Sequence, residues 1–386
     1  MPSALFSPIK LRGLELANRV VLSPLCQFMA MDGTAQPWHF MNAYHYAVSG
    51  AGLIILEATG VEDIGRITLG CLGLYSDDNE AALTQLIKGM RSYSNTPIGI
   101  QLCHAGRKAS TRPTWELYKG NNLLPEEGAW DVVAPSAEAF GENWPVPVYL
   151  DAQGLARVLD RFVESTRRAH RCGFDMIEVH VAHGYLLHQF VSPMSNKRTD
   201  KYGGCLENRM RFPLEVIAAM RAAFPAEKPI GVRITGCDFN DGGLELEDAV
   251  AFARELQKIG IDYVTPSAGN VAPGMKVPPV SPGYMVPFAE RIKQDVPGMN
   301  AMAVGLIVLP EQANEIIASG KADMVAIGRA FMDDPRWAWH AATALGDTPA
   351  IPPAWNRANP KVWPAYAMVH GQSREMSAGM GHARRE

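Results

Sequence analysis

Residues 151–181 read DAQGLARVLDRFVESTRRAHRCGFDMIEVHV. Leu155, Val158, Leu159, Phe162, Val163, Thr166 and Ala169 keep a spacing of three and four, which predicts a helix over Asp151–Cys172 with one apolar face. Gly173 follows where a helix commonly ends in a left-handed residue. Met176–Val181 then changes period and reads as a short strand.

The same unit recurs along the chain. Strands are predicted over Arg19–Ser23, Leu53–Ala58, Ile98–Cys103, Met176–Val181, Ile230–Ile234, Tyr263–Pro266, Ala301–Val304 and Met324–Ile327. Further helices are predicted over Leu206–Phe224, Glu245–Ile259 and Pro310–Ser319, the last with proline in its first turn and Gly320 after its end. Runs apolar on both faces suit parallel strands covered by helices. Eight of them alternating with helices predict an α/β fold, a single-domain (β/α)8 TIM barrel. An open doubly wound sheet shares the alternation, but its Gly-x-Gly-x-x-Gly fingerprint is missing after the first strand.

The 386 residues are 47% hydrophobic and 20% charged, too apolar for disorder and long enough to bury a core without disulfides. Thirty-six basic against 40 acidic residues leave a formal charge of −4, with no basic footprint for nucleic acid or an anionic membrane. Apolar runs such as Gly52–Leu56 fall far short of the ~20 residues a membrane helix needs. The first residues lack a basic region followed by an apolar core, so no secretory signal is expected. The cysteines at 26, 71, 103, 172, 205 and 237 form no Cys-x-x-Cys pair, which argues against an iron–sulfur cluster or a structural zinc. A reduced, cytoplasmic setting is the simplest expectation.

Two segments depart from the rhythm. A long insertion rich in Pro, Trp and Asn separates the third strand from the Asp151 helix, and loops of that length are usually lids or binding loops. The C-terminus changes composition. The expected division is a barrel over 1–346, a Pro/Trp-rich arm over 347–370 that docks on its own or a neighbouring subunit's surface, and a disordered tail over 371–386.

Catalytic groups of a barrel sit at the C-terminal ends of its strands. The first strand ends with Ser23, Pro24, Leu25 and Cys26, the second with Ala58, and the third with Gln101 and the run His104–Lys108. The fourth supplies His180, His183 and Tyr185, the fifth Arg233, the seventh Gly305, and the eighth Gly328 and Arg329. His180 and His183 could share a metal, but no third ligand stands out and none is expected. With Tyr185 they can instead form a hydrogen-bond pocket for an anionic oxygen or a carbonyl; the plainer reading is a pair of satisfied core histidines. Arg233 is either ion-paired with a carboxylate such as Glu178 or Asp238, or a fixed cation beside a group that must hold negative charge. Gly305, Gly328 and Arg329 suit a phosphate, though glycines at strand ends are also ordinary turns. Cys26 by itself reads as a small buried hydrophobe, and Lys108 as a solvated neighbour of Arg107.

Taken together, Asn18–Cys26, Glu57–Thr59, Gln101–Lys108, His180–Leu186, Ser192–Gly204, Asn208, Arg209, Arg233, Gly328 and Arg329 resemble the old yellow enzyme family of FMN-dependent ene-reductases, in order over residues 4–346. Cys26 and the His-x-x-His spacing resemble its thermophilic-like, xenobiotic reductase-like subclass. The resemblance implies FMN across the barrel mouth and NADPH or NADH as reductant. It implies cofactor contacts from Ser23, Pro24, Leu25, Cys26, Ala58, Gln101 and Arg233, with Arg233 near the N1/O2 edge and Gly305, Gly328 and Arg329 at the phosphate. Cys26 would tune the flavin and touch substrate without acting as a nucleophile. His180 and His183 would bind the activating carbonyl and Tyr185 would give the proton, with Phe28 and Lys108 on the substrate side. Arg357 would reach into a neighbouring subunit's site, which requires a dimer or tetramer.

The activity so implied is reduction of the activated C=C bond of α,β-unsaturated carbonyl compounds, with nitro compounds or nitrate esters as secondary substrates. Two positions depart from the pattern. Phe28 stands where the subclass commonly has tyrosine, and Val304 where some xenobiotic reductases have tryptophan, which implies a less polar and roomier pocket. Relatives that demethylate or reduce dienoyl-CoA carry an iron–sulfur cluster and extra domains, which these cysteines and this length do not allow. A non-catalytic flavin-binding or ligand-sensing barrel is the alternative, against which the proton donor Tyr185 speaks.

Overall fold

Eight parallel strands close on themselves in the computed structural model, which describes residues 2–278 and 280–370. They are β1 (Val20–Leu22), β2 (Leu53–Gly60), β3 (Ile98–Cys103), β4 (Met176–Val181), β5 (Ile230–Cys237), β6 (Tyr263–Ala268), β7 (Asn300–Ala303) and β8 (Met324–Ile327). Each pairs with the next in sequence and β8 returns to β1, so the expected (β/α)8 barrel is what forms. Around it lie α1 (Pro37–Ala47), α2 (Asp77–Arg91), α3 (Ala152–Cys172), α4 (Leu186–Val191), α5 (Leu206–Ala223), α6 (Leu246–Lys258), α7 (Val286–Asp295) and α8 (Pro310–Ala318), followed by α9 (Arg329–Asp333), α10 (Trp337–Ala344) and α11 (Tyr366–Val369). No helix among the described residues is long and apolar enough to cross a membrane.

Local chemistry sets the helix ends. Asp151 accepts the Gly154 amide at 2.8 Å and caps α3, and Gly173 ends it at φ +91°. Ser76 caps α2 in the same way at 3.2 Å, with Asp77, Asp78 and Glu80 in the first turn, where the helix dipole favours negative charge.

Each strand divides its side chains between two cores. Ile54, Ile100, Ile177, Val179 and Val232 face outward into the shell of helices. Val21, Leu53, Ile55, Met176, Tyr263, Met302 and Met324 fill the barrel. Small residues make room for large ones: a Cβ on Gly99 would lie 2.9 Å from Met176, and one on Gly231 only 2.0 Å from the Tyr263 ring opposite it in register. The N-terminal end of the barrel is closed by an antiparallel hairpin, Ile9–Leu11 with Leu14–Leu16, whose Leu11 and Leu16 join the interior core. This hairpin leaves no periodic signal in the sequence, because its strands are too short to show an alternation.

The insertion after β3 is fastened rather than loose. Thr111 Oγ1 donates to Ile67 O at 2.9 Å, and Arg198 reaches Leu150 O at 2.8 Å from beneath. The Pro/Trp-rich segment packs on α10 of its own chain: Trp355 lies 5.8 Å from Trp339, with the Arg336 guanidinium over both rings. The expected tail over 371–386 lies outside the described residues.

Gly231→Ala is expected to lower the unfolding free energy by about 1–3 kcal/mol by overpacking the barrel, measured by urea denaturation. A variant as stable as the parent would show that Tyr263 has another place to go.

Candidate active site

Parallel closure brings all eight strand ends to one mouth. Register then sets neighbours: Ala58 pairs with Gln101, Gln101 with Glu178, and His180 with Arg233. Just inside the mouth, the buried Glu178 carboxylate accepts from Gln101 Nε2 at 2.7 Å, Thr265 Oγ1 at 3.0 Å and the Tyr263 hydroxyl at 3.1 Å. Its partners are neutral donors. No ion pair within 4.0 Å joins Arg233 to Glu178 or Asp238, so that reading of Arg233 is not the one the structure takes. Its Nη1 donates to Ser23 Oγ at a long 3.4 Å, and its Nε is buried without a partner.

Arg233 opens onto a cleft that spans the mouth from the end of β4 round to β1. Ser23, Leu25, His183, Ser267, Gly305, Gly328 and Arg329 also line it. Gly305 sits at φ +106°, where a Cβ would meet Met285 at 2.9 Å. Arg329 is exposed at the start of α9.

His180 and His183 lie together on the same side. The Ala182 amide donates to His180 Nδ1 at 3.1 Å, which places the His180 proton on Nε2. That nitrogen is 3.2 Å from His183 Nδ1, and His183 Nε2 is 2.7 Å from Ser267 Oγ. Burial, and then the Arg233 charge, hold both imidazoles well below the ordinary histidine range, so both are neutral donors at neutral pH. A ligand oxygen taking these N–H groups would replace His183 and Ser267 as their acceptors. Burial likewise pushes the Tyr185 hydroxyl well above its usual range, which keeps its proton in place. Its ring stands edge-on to His180 at 4.9 Å.

Lys108 is not solvated. Only 8% exposed, it donates to His183 O at 2.7 Å and Asn270 O at 2.9 Å, with its ammonium 5.2 Å from the Tyr185 ring. Burial, with Arg107 beside it, lowers it to about 7. Cys26 follows Ser23 and Pro24 on the loop after β1. Burial, then Cys71 and Glu57, raise its thiol well above the ordinary range, which disfavours the thiolate. Glu57 accepts the Gln27 amide at 3.0 Å and so fixes this loop; burial pushes that carboxyl up to about 8. Phe28 takes φ +54° and meets Trp115 of the insertion edge-on at 6.0 Å. Arg357 is exposed on the C-terminal arm and does not line the cleft of its own chain.

Ser267, Asn270 and Gln189 stand outside the predicted strand ends, and Glu57, which stands at one, has a role that only the fold shows. Ser267 was within reach, since β6 runs to Ala268 rather than Pro266. The others act through backbone contacts between loops, which leave no pattern in a sequence.

The profile of the NADH:flavin oxidoreductase / NADH oxidase family matches residues 4–347. The chain belongs to this family, the old yellow enzymes. An NADPH dehydrogenase of Listeria monocytogenes serovar 1/2a is 41% identical, over 92% of this chain and 99% of its own length. An NADPH dehydrogenase of Geobacillus thermodenitrificans is 40% identical, over 90% and 96%. Among solved structures, morphinone reductase superposes with a TM-score of 0.73 at 28% identity, covering 94% of this chain and 93% of that one. As an old yellow enzyme the protein is an FMN-dependent NAD(P)H oxidoreductase.

The residues present fit that cofactor. The cleft offers a buried cationic Nε without a protein partner, two glycines where backbone can be approached closely, and the Arg329 guanidinium. An electron-rich ring edge would satisfy Arg233, and a phosphate would satisfy the end carrying Arg329.

Lys108 gives the old yellow enzyme fold a readable pH signature. Between pH ~7 and ~10 the unfolded chain keeps the lysine proton and the folded chain has released it, so this contribution to stability rises with pH. Lys108→Met is expected to flatten that rise between pH 7 and 9 in denaturant unfolding; an unchanged slope would mean Lys108 stays charged.

Proposed function

We propose that the protein reduces the activated C=C bond of α,β-unsaturated carbonyl compounds, with nitro compounds or nitrate esters as secondary substrates. The observation that carries this reading is the cluster of two neutral imidazoles and an un-ionised tyrosine at the mouth that also holds Arg233. Bound FMN would supply the hydride chemistry, taking two electrons from NADPH or NADH for the β-carbon of the alkene.

The chain's own residues do the rest. Ser23, Pro24, Leu25, Cys26, Ala58, Gln101 and Arg233 would hold the ring system, and Gly305, Gly328 and Arg329 would hold the phosphate. His180 and His183 donate to the substrate oxygen, where charge builds as hydride arrives, so they favour the transition state over the ground state. Tyr185 passes its proton to the α-carbon, and hydride plus proton complete the addition across the double bond. Phe28 and Lys108 wall the substrate side. Phe28 has no hydroxyl to offer, so binding rests more heavily on the two histidines. The exposed Arg357 is proposed to complete the site of a neighbouring copy in a dimer or tetramer.

The decisive test is anaerobic. Flavin reduced by NADPH is expected to be reoxidised by cyclohexenone under nitrogen; no alkene-dependent reoxidation would favour a flavin-binding sensor. His180→Ala and His183→Ala are each expected to cost about 2.7–4 kcal/mol in the barrier to alkene reduction. Each should also weaken phenolic ligands, read as lost long-wavelength charge-transfer absorbance. Cys26→Ala is expected to shift the flavin potential while turnover continues; complete loss of activity would give Cys26 a direct chemical part.

A further inference from the structure

The turn that presents His183 and Tyr185 is held from behind by another histidine, which has no place in the proposed chemistry. His183 and Gly184 both take left-handed conformations, at φ +57° and +74°. A Cβ on Gly184 would come within 2.1 Å of Asn270 O, so only glycine fits there. The Gly184 amide donates to His188 Nδ1 at 2.8 Å. A ring nitrogen that accepts this bond carries no proton, so the His188 proton belongs on Nε2. Nε2 lies 3.0 Å from Asp238 Oδ1, just beyond the end of β5, in close contact though off the line of a hydrogen bond. Asp238 is fixed in turn, since its Oδ2 accepts from Ser192 Oγ at 2.7 Å and from the Leu244 amide at 2.8 Å. His188 and Asp238 are both fully enclosed. Gln189, the next residue of α4, binds the same turn from the side, donating to Gly184 O at 2.7 Å and Ala105 O at 3.1 Å.

We propose that His188 and Asp238 are positioning residues for the His183–Tyr185 turn. The carboxylate holds the imidazole in the tautomer whose Nδ1 takes the Gly184 N–H, and that bond sets where His183 and Tyr185 point. The inference rests on the reading of those two side chains as substrate-facing. An amide at position 238 can turn an N–H toward Nε2 and drive the imidazole proton onto Nδ1, where it opposes the Gly184 N–H. The turn must then move, while the cofactor groups on β1, β5, β7 and β8 stay in place.

The flavin-loaded full chain tests this. Asp238→Asn and His188→Leu are each expected to lower both kcat for alkene reduction and phenol affinity roughly tenfold, the size of one lost buried hydrogen bond, with flavin content unchanged. His188→Asn puts a side-chain oxygen near the place of Nδ1 and is expected to restore both, and to make Asp238→Asn almost silent when the two are combined. Nitrogen-15 NMR of the wild-type imidazole is expected to show a bare Nδ1 and a protonated Nε2. A proton on Nδ1 in the wild type overturns the proposal, as does undiminished phenol affinity in Asp238→Asn at full flavin content. Should Asp238→Asn lose its flavin or fail to fold, the wild-type tautomer decides. A wild type that binds no phenol and reduces no alkene sinks the substrate reading instead, and the tautomer measurement still judges the clamp.

Discussion

Arg233 is a buried cation held at the barrel mouth with no carboxylate in ion-pair contact, and Glu178 acts on it only at a distance. A guanidinium in that position is costly unless something electron-rich comes to meet it. Its field acts on everything nearby. It disfavours a second positive charge on His180 and His183, and with burial it keeps both imidazoles as neutral donors. The same excess of positive potential suits a cofactor that must hold negative charge when reduced. Burial sets the protonation of the groups proposed to meet the substrate, and the Arg233 cation reinforces it at the two histidines.

The rest of the mouth keeps a carboxylate from pairing directly with this cation from below. Glu178 is the nearest candidate to do so, yet Gln101, Tyr263 and Thr265 occupy its oxygens with neutral hydrogen bonds. A buried carboxylate with its lone pairs satisfied is stable without a counter-ion in contact. Tyr263 can reach Glu178 only because Gly231 leaves space beside it, so a packing detail inside the barrel has an electrostatic consequence at its rim.

The loops at the mouth are stiff because buried side chains hold their backbones. Lys108 joins the His183 and Asn270 carbonyls, Gln189 joins the turns after β3 and β4, and Glu57 holds the loop carrying Cys26. Left-handed residues at Phe28, His183 and Gly184 are tolerated because the surroundings over-determine them. Such fastening keeps reacting groups within the narrow tolerance that hydride transfer demands.

The barrel was legible in the chain because its strands alternate with amphipathic helices, and that alternation needs only local periodicity. The strand-end residues were legible as a set, since parallel closure sends every C-terminal end to the same mouth. Resemblance of the strand-end motifs to a known family carried the cofactor, which spacing by itself did not. The N-terminal hairpin, Ser267 and the buried state of Lys108 were not legible. Lys108 sits beside Arg107 in a run that reads as solvated, and only the fold brings two carbonyls from distant loops over its ammonium. Whether Arg233 would be paired was equally open, because ion pairing depends on distances across the barrel. Sequence determined which residues reach the mouth; tertiary structure decided their protonation and their partners, because those depend on burial and on contacts between segments far apart in the chain.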